Sequence, residues 1–268
     1  MIDPPNESPE DENVFYSTGM TVLDQRLGSD LHDETNGIPG GSLILIHAPP
    51  ETNLGTLFAQ RVLINLLDQF PTSKAYYMHS SRPQHVVRKE FKAYSWDIST
   101  YEKGDRWEFI DMWHITSSHV ASSSRIGKID IRRKSYLKQA FERMQQVHET
   151  ENTTCFSVVD NLLWLKEDEF DKDSSKILEY FKDLTDQVVR IGGLHFLVLP
   201  KGIVEDTTEK IIMSIVNGIF DFSRIVLGTK NQDQLAIIKM MGVTYNADIL
   251  DITPDSRVGL RIESTGKI

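Results

Sequence analysis

Apolar residues fall along the chain in two rhythms. Short unbroken apolar runs, bounded by Gly, Pro or charge, alternate with longer stretches in which apolar residues recur every three or four positions. The first strong run, Ser42-Leu-Ile-Leu-Ile-His47, follows the breaker Gly37-Ile-Pro-Gly-Gly41. An unbroken run rather than an alternating one predicts a strand covered on both faces. A loop, Ala48-Pro-Pro-Glu-Thr-Asn53, comes next. Then Leu54, Leu57, Phe58, Val62, Leu63, Leu66 and Leu67 repeat at helical spacing.

The same reading predicts strands over 75–78, 107–111, 156–159, 195–199, 220–226, 235–240 and 260–262. Between them, Tyr136, Leu137, Ala140, Phe141, Met144 and Val147 share one helical face, and Ile177, Phe181, Leu184, Val188 and Ile191 share another. Strands alternating with helices of this length imply βαβ units and a mostly parallel sheet. The last strands follow one another closely, which predicts an antiparallel meander at the C-terminal edge. Residues 1–13, acidic and Pro-rich, hold too few apolar groups to offset ordering entropy and read as a disordered tail. No internal repeat or long linker divides the rest, so 14–268 reads as a single domain. The polar stretch 116–125 (TSSHVASSSR) reads as a surface loop, or as a binding loop that orders on contact.

Composition narrows the classes. The chain has 268 residues, 40% hydrophobic and 25% charged, enough apolar content for a sizeable core. No stretch reaches the roughly 18–20 apolar residues of a membrane span, and the acidic start is unlike a signal peptide. The lone Cys155 has no internal disulfide partner and fits a reducing cytoplasm. A net charge of -10 opposes non-specific nucleic-acid binding, which depends on Lys and Arg neutralising phosphates.

Three stretches carry a resemblance. They are Ser17-Thr-Gly-Met-Thr-Val-Leu-Asp-Gln-Arg-Leu-Gly28 with Gly37-Ile-Pro-Gly-Gly-Ser-Leu43, the strand Cys155-Phe-Ser-Val-Val-Asp-Asn161, and Ile238-Lys-Met-Met-Gly-Val243. Together they resemble the RecA superfamily, and within it the KaiC-like proteins common in archaea, from about residue 17 to the end of the sequence. The resemblance implies a three-layer α/β P-loop fold with C-terminal antiparallel strands. Its phosphate loop has the form G-x-P-G-x-G-K-T. Laid against that pattern, Ala48, Glu51 and Asn53 stand at the three Gly positions, with Pro49, Pro50 and Thr52 between them. Leu54 stands at the Lys and Gly55 at the Mg²⁺-binding hydroxyl, while Thr56 keeps a hydroxyl one position later.

Each departure has a physical cost. The loop normally works through inward backbone N–H groups and a Lys ammonium on the terminal phosphates. Leu54 removes a charge-assisted hydrogen bond worth roughly 1.5–3 kcal/mol. Glu51 places a carboxylate where polyanionic phosphate would sit, and no Lys or Arg occurs between Arg26 and Arg61. Ser80 and Ser81 stand where the family carries paired catalytic glutamates, and a neutral hydroxyl is a poor base near pH 7. Asp160 matches the family's magnesium-side acid, either as a residual Mg²⁺ or water ligand or as a cap for nearby backbone N–H groups. Lys239 matches one half of a Lys-x-Arg pair that contacts a neighbouring subunit's phosphate; Met241 stands at the Arg.

Other candidates carry less. The pairs His79/His85 and His114/His119 lack zinc-motif spacing. His47 reads as a satisfied buried imidazole or a replacement ligand, Cys155 as a small buried hydrophobe. The run 168–173 lacks the Gly and terminal Glu of a calcium loop. Arg132-Arg-Lys134 reads as a charged helix turn. The expectation is a non-catalytic pseudo-ATPase that assembles with itself or with an active KaiC/RecA-like ATPase, without membrane or nucleic-acid partners. No cofactor is expected, with ATP and Mg²⁺ at low affinity as the exception. The alternatives are an ATP-binding protein with weak or no hydrolysis, and a DNA-associated recombinase-like accessory factor.

Overall fold

A computed structural model describes residues 14–28, 36–114, 126–167 and 173–264, with backbone alone at 126–135 and 166–167. In chain order the elements are β1 (Phe15–Tyr16), α1 (Thr21–Asp24), β2 (Ile38–Pro39), β3 (Ser42–Ala48), α2 (Leu54–Gln69), β4 (Lys74–His79), α3 (Gln84–Ala93), α4 (Ser99–Lys103) and β5 (Trp107–Asp111). They continue with α5 (Ile126–Glu151), β6 (Cys155–Asp160), a 3-10 turn (Leu162–Glu167), α6 (Ser174–Ile191), β7 (Leu194–Pro200), α7 (Asp206–Ile215), β8 (Gly218–Leu227), β9 (Lys230–Met240), β10 (Leu250–Asp255) and β11 (Gly259–Ser264). The expected tail 1–13, the polar loop 116–125 with His119, and the acidic run 168–172 lie outside the described residues.

Nine strands form one sheet in the order β11-β10-β9-β8-β3-β7-β6-β4-β5. β8, β3, β7, β6, β4 and β5 run parallel, and β8 to β11 form the antiparallel meander at the other edge. Side-chain alternation along β3 divides the core. Ile44, Ile46 and Ala48 join a cluster under α2, whereas Leu43 and Leu45 join one under α5, α6 and α7. Both faces are covered, as unbroken apolar strands require. The fold is therefore α/β, with a mostly parallel central sheet between two helical layers.

Local sequence explains the boundaries. Asp24 accepts hydrogen bonds from Ser17 Oγ at 2.7 Å, Thr18 N at 2.8 Å and Thr18 Oγ1 at 2.7 Å, which folds the opening block into the entry of α1. Asp173 caps α6 by accepting from Lys176 N at 3.3 Å. Gly192 and Gly193 then leave the helix at φ 69° and 67°. A Cβ on Gly193 would lie 2.1 Å from the Cys155 carbonyl oxygen, so only glycine fits there.

The predicted strands are all present, and several elements are additional to the periodicity reading. α3 buries only Val87 and Phe91, and α7 only Thr208 and Ile212, so each offers a single i, i+4 pair as signal. α4 buries no residue. β10 contains Pro254 and two Asp yet pairs with both β9 and β11, because Pro254 lies beyond its pairing with β9. No described helix is long and apolar enough to cross a membrane.

Candidate functional site

The carboxyl ends of β3, β7, β6 and β4 lie side by side, the place where open α/β sheets form their crevice. A cavity of about 230 Å³ opens there. Its lining brings the loop residues Ala48, Pro49, Pro50, Thr52, Asn53, Gly55 and Thr56 together with Ser81, Arg82 and Asp160. Glu51 and Leu54 do not line it. The volume falls below the roughly 300–1,000 Å³ of typical small-molecule sites.

The loop is held by its own backbone. Thr52 donates to the Pro49 carbonyl from its N–H at 3.2 Å and from its hydroxyl at 3.3 Å. Asn53 occupies the N-cap of α2 at φ −102°, with no side-chain cap bond among the described residues. Leu54, only 4% exposed, turns into the core cluster under α2. A Cβ on Gly55 would lie 2.8 Å from both Ala48 Cβ and Ile46 Cγ2. The first turn of α2 thus packs so closely on β3 that a Ser or Thr at 55 would force it to move. Glu51 is exposed, and its charge acts on Arg224 of β8.

At the floor the chemistry is polar. Asp160 is 1% exposed at the end of β6 and accepts three side-chain hydrogen bonds. Thr56 Oγ1 lies at 3.1 Å from Oδ1; Tyr77 OH at 2.7 Å and Arg82 Nη2 at 2.5 Å both reach Oδ2. The other branch of the Arg82 guanidinium bonds Glu90 of α3, and Gln60 of α2 donates to Tyr77 OH at 3.0 Å and to Glu90 at 3.4 Å. Asp160 therefore binds side chains, not the backbone N–H groups that one sequence reading gave it. Burial would lower the Arg82 guanidinium, but the carboxylates of Asp160 and Glu90 hold it above its ordinary range. Burial raises the Glu90 carboxyl, against the pull of Arg82. Burial and then the Asp160 charge push the Tyr77 phenol well up.

The two serines part company. Ser80 is buried and donates to the Asn161 carbonyl at 2.5 Å while accepting from Asn161 N at 3.1 Å. Its hydroxyl ties the end of β4 to the end of β6. Ser81 faces the cavity. Lys239 donates to the carbonyls of Ser214 at 2.9 Å and Met213 at 3.3 Å, completing the last turn of α7. His47, buried on the other face of β3, meets Asp221 at 2.9 Å, and Lys201 bonds the same carboxylate at 2.8 Å. Its Nε2 lies 2.9 Å from Glu209 without hydrogen-bond geometry. Cys155 is buried, its thiol pushed up to about 12 by burial. Among the described residues, no group of three or more His, Cys, Asp or Glu is arranged to hold a metal ion.

Arg82, Tyr77, Gln60 and Glu90 escape the sequence reading. Arg82 was within reach of it, lying directly beyond Ser80 and Ser81. A search for cations between Arg26 and Arg61 does not extend to it, because β4 returns the chain to the loop only in space.

No family model matches the chain, and no curated protein matches it. Among solved structures, a KaiC-like protein (PH0186) from the hyperthermophilic archaeon Pyrococcus horikoshii OT3 is similar, with a TM-score of 0.66 at 14% identity. The match covers 93% of this chain and 99% of that one. At that identity the likeness is one of fold: the chain shares the α/β architecture of that KaiC-like protein.

Proposed function

We propose that the chain is a non-catalytic KaiC/RecA-like pseudo-ATPase, acting as a regulatory or assembly subunit in a homo-oligomer or beside an active relative. The observation that carries this reading is the first turn of α2. Its residues at the cation and hydroxyl positions, Leu54 and Gly55, are spent on packing against the core and β3. Burying Leu54 contributes roughly 1.5–3 kcal/mol, so the fold resists returning that position to phosphate. With no cation at 54, no room for a hydroxyl at 55 and a cavity of about 230 Å³, the residues present do not fit a magnesium–nucleotide complex. The trans role for Lys239 requires its ammonium to leave the carbonyls of α7.

A specific observation favours a second reading, nucleotide binding with weak or no turnover. Arg82 lines the same cavity as Thr52, Asn53 and Thr56, and a guanidinium released from Asp160 would face a phosphate there. Calorimetric titration of the whole chain with Mg-ATP separates the two. The pseudo-ATPase reading expects no heat up to millimolar nucleotide; micromolar affinity establishes the second reading instead.

A further inference from the structure

A second depression lies at the opposite end of the strands. It crosses the amino ends of β8, β3, β7 and β6, which are neighbours in the sheet. Its volume, about 690 Å³, falls inside the roughly 300–1,000 Å³ of typical small-molecule sites. Glycine backbone at 40, 41, 192, 193 and 242 forms much of the wall, and an added Cβ at Gly192 would meet nothing within 4 Å. Val14, Val189 and Met241, all exposed, give the wall an apolar rim.

Three donors in this lining are unspent among the described residues. Ser42, the first residue of β3, is only 3% exposed, yet its hydroxyl makes no hydrogen bond there. Asn217, directly before β8, uses Oδ1 to accept from Leu43 N at 2.9 Å, and its amide N–H groups have no partner. Arg190, in the last turn of α6, makes neither a hydrogen bond nor an ion pair. That turn lies against the start of β3, since an added Cβ on Gly41 would fall 3.4 Å from Val189 Cα. In a chain of net charge -10, no described Asp or Glu lines the depression. A buried donor without a partner costs stability unless a ligand satisfies it. The planar fork of an arginine matches the two oxygens of a carboxylate.

We propose that this depression binds a small monocarboxylic acid, its carboxylate met by Arg190, Ser42 and Asn217 and its apolar body by Val14, Val189 and Met241. The proposal does not rest on the reading of the crevice, and its test contains no nucleotide. The probe is octanoate, titrated calorimetrically into the whole chain, with octan-1-ol as its uncharged match. One octanoate is expected to bind per chain with a Kd of about 0.1–1 mM, and octanol about 10-fold more weakly. Arg190→Gln should weaken octanoate by about 5-fold, as an exposed cation allows, and Ser42→Ala by about 10-fold. Neither substitution should change octanol binding. Val189→Glu, at an exposed position, sets a like charge on the rim and should abolish octanoate binding. The proposal is overturned by absence of octanoate heat up to about 10 mM or by equal affinity for octanol. Octanoate affinity unchanged in Arg190→Gln or in Val189→Glu overturns it too. If Ser42→Ala fails to fold, these two exposed-site variants decide alone.

Discussion

The first turn of α2 and the end of β6 face the same cavity, and they solve opposite problems. At α2, positions that would present charge and a hydroxyl hold Leu54 and Gly55, which pack into the core and against β3. At β6 the acid is kept: Asp160 stays at 1% exposure, and Arg82, Tyr77 and Thr56 are gathered around it. One edge of the crevice is core while the other is an ion network. A buried carboxylate needs a cation beside it, which Arg82 supplies, whereas an apolar side chain such as Leu54 needs none.

The largest effect should come from breaking the ion network. Arg82→Ala leaves a buried carboxylate uncompensated, at an expected cost of about 3–5 kcal/mol in urea unfolding. Adding Asp160→Asn should recover at least half of that loss. A cost of less than about 1 kcal/mol would show that the crevice floor tolerates change as a surface does.

His195 sharpens the contrast, since it is a buried polar group satisfied without charge. Its Nε2–H donates to the Gly192 carbonyl at 2.8 Å, and Nδ1 accepts from Ser157 Oγ at 2.9 Å. Burial lowers its pKa from 6.5 to about 4, against the raising effect of the Gly192 carbonyl. Between those values the unfolded chain binds the proton and the folded chain does not. Stability should therefore be full above pH 6.5 and fall by about 3 kcal/mol as pH drops toward 4. Replacing His195 with Gln should flatten that limb of a pH series of unfolding curves; an unchanged limb would assign it to other groups.

The α2 side offers a third break. Leu54→Lys combined with Gly55→Thr restores the last two letters of the phosphate-loop pattern. The pair is expected to cost about 2–4 kcal/mol and to yield no nucleotide heat in calorimetry. Recovery of binding by these two substitutions alone would show that packing is not what closes the loop.

Much of this crevice was legible before the fold. The strands themselves follow from apolar runs such as 42–47 and 155–160, whose side chains are buried on both faces. The departures at Leu54 and Gly55 follow from laying the loop against the resemblance. What sequence spacing could not supply is partnership across the sheet. Arg82 and Asp160 meet because β4 ends beside β6, which no local pattern encodes. Helices α3 and α7 were faint for a related reason, each fully burying only two residues.

A structure determined with Mg-ATP present tests the central claim most directly. The account expects residues 48–56 without nucleotide and the Arg82 guanidinium still on Asp160. A triphosphate seated on the first turn of α2, with Arg82 drawn away from Asp160 to meet it, would contradict it.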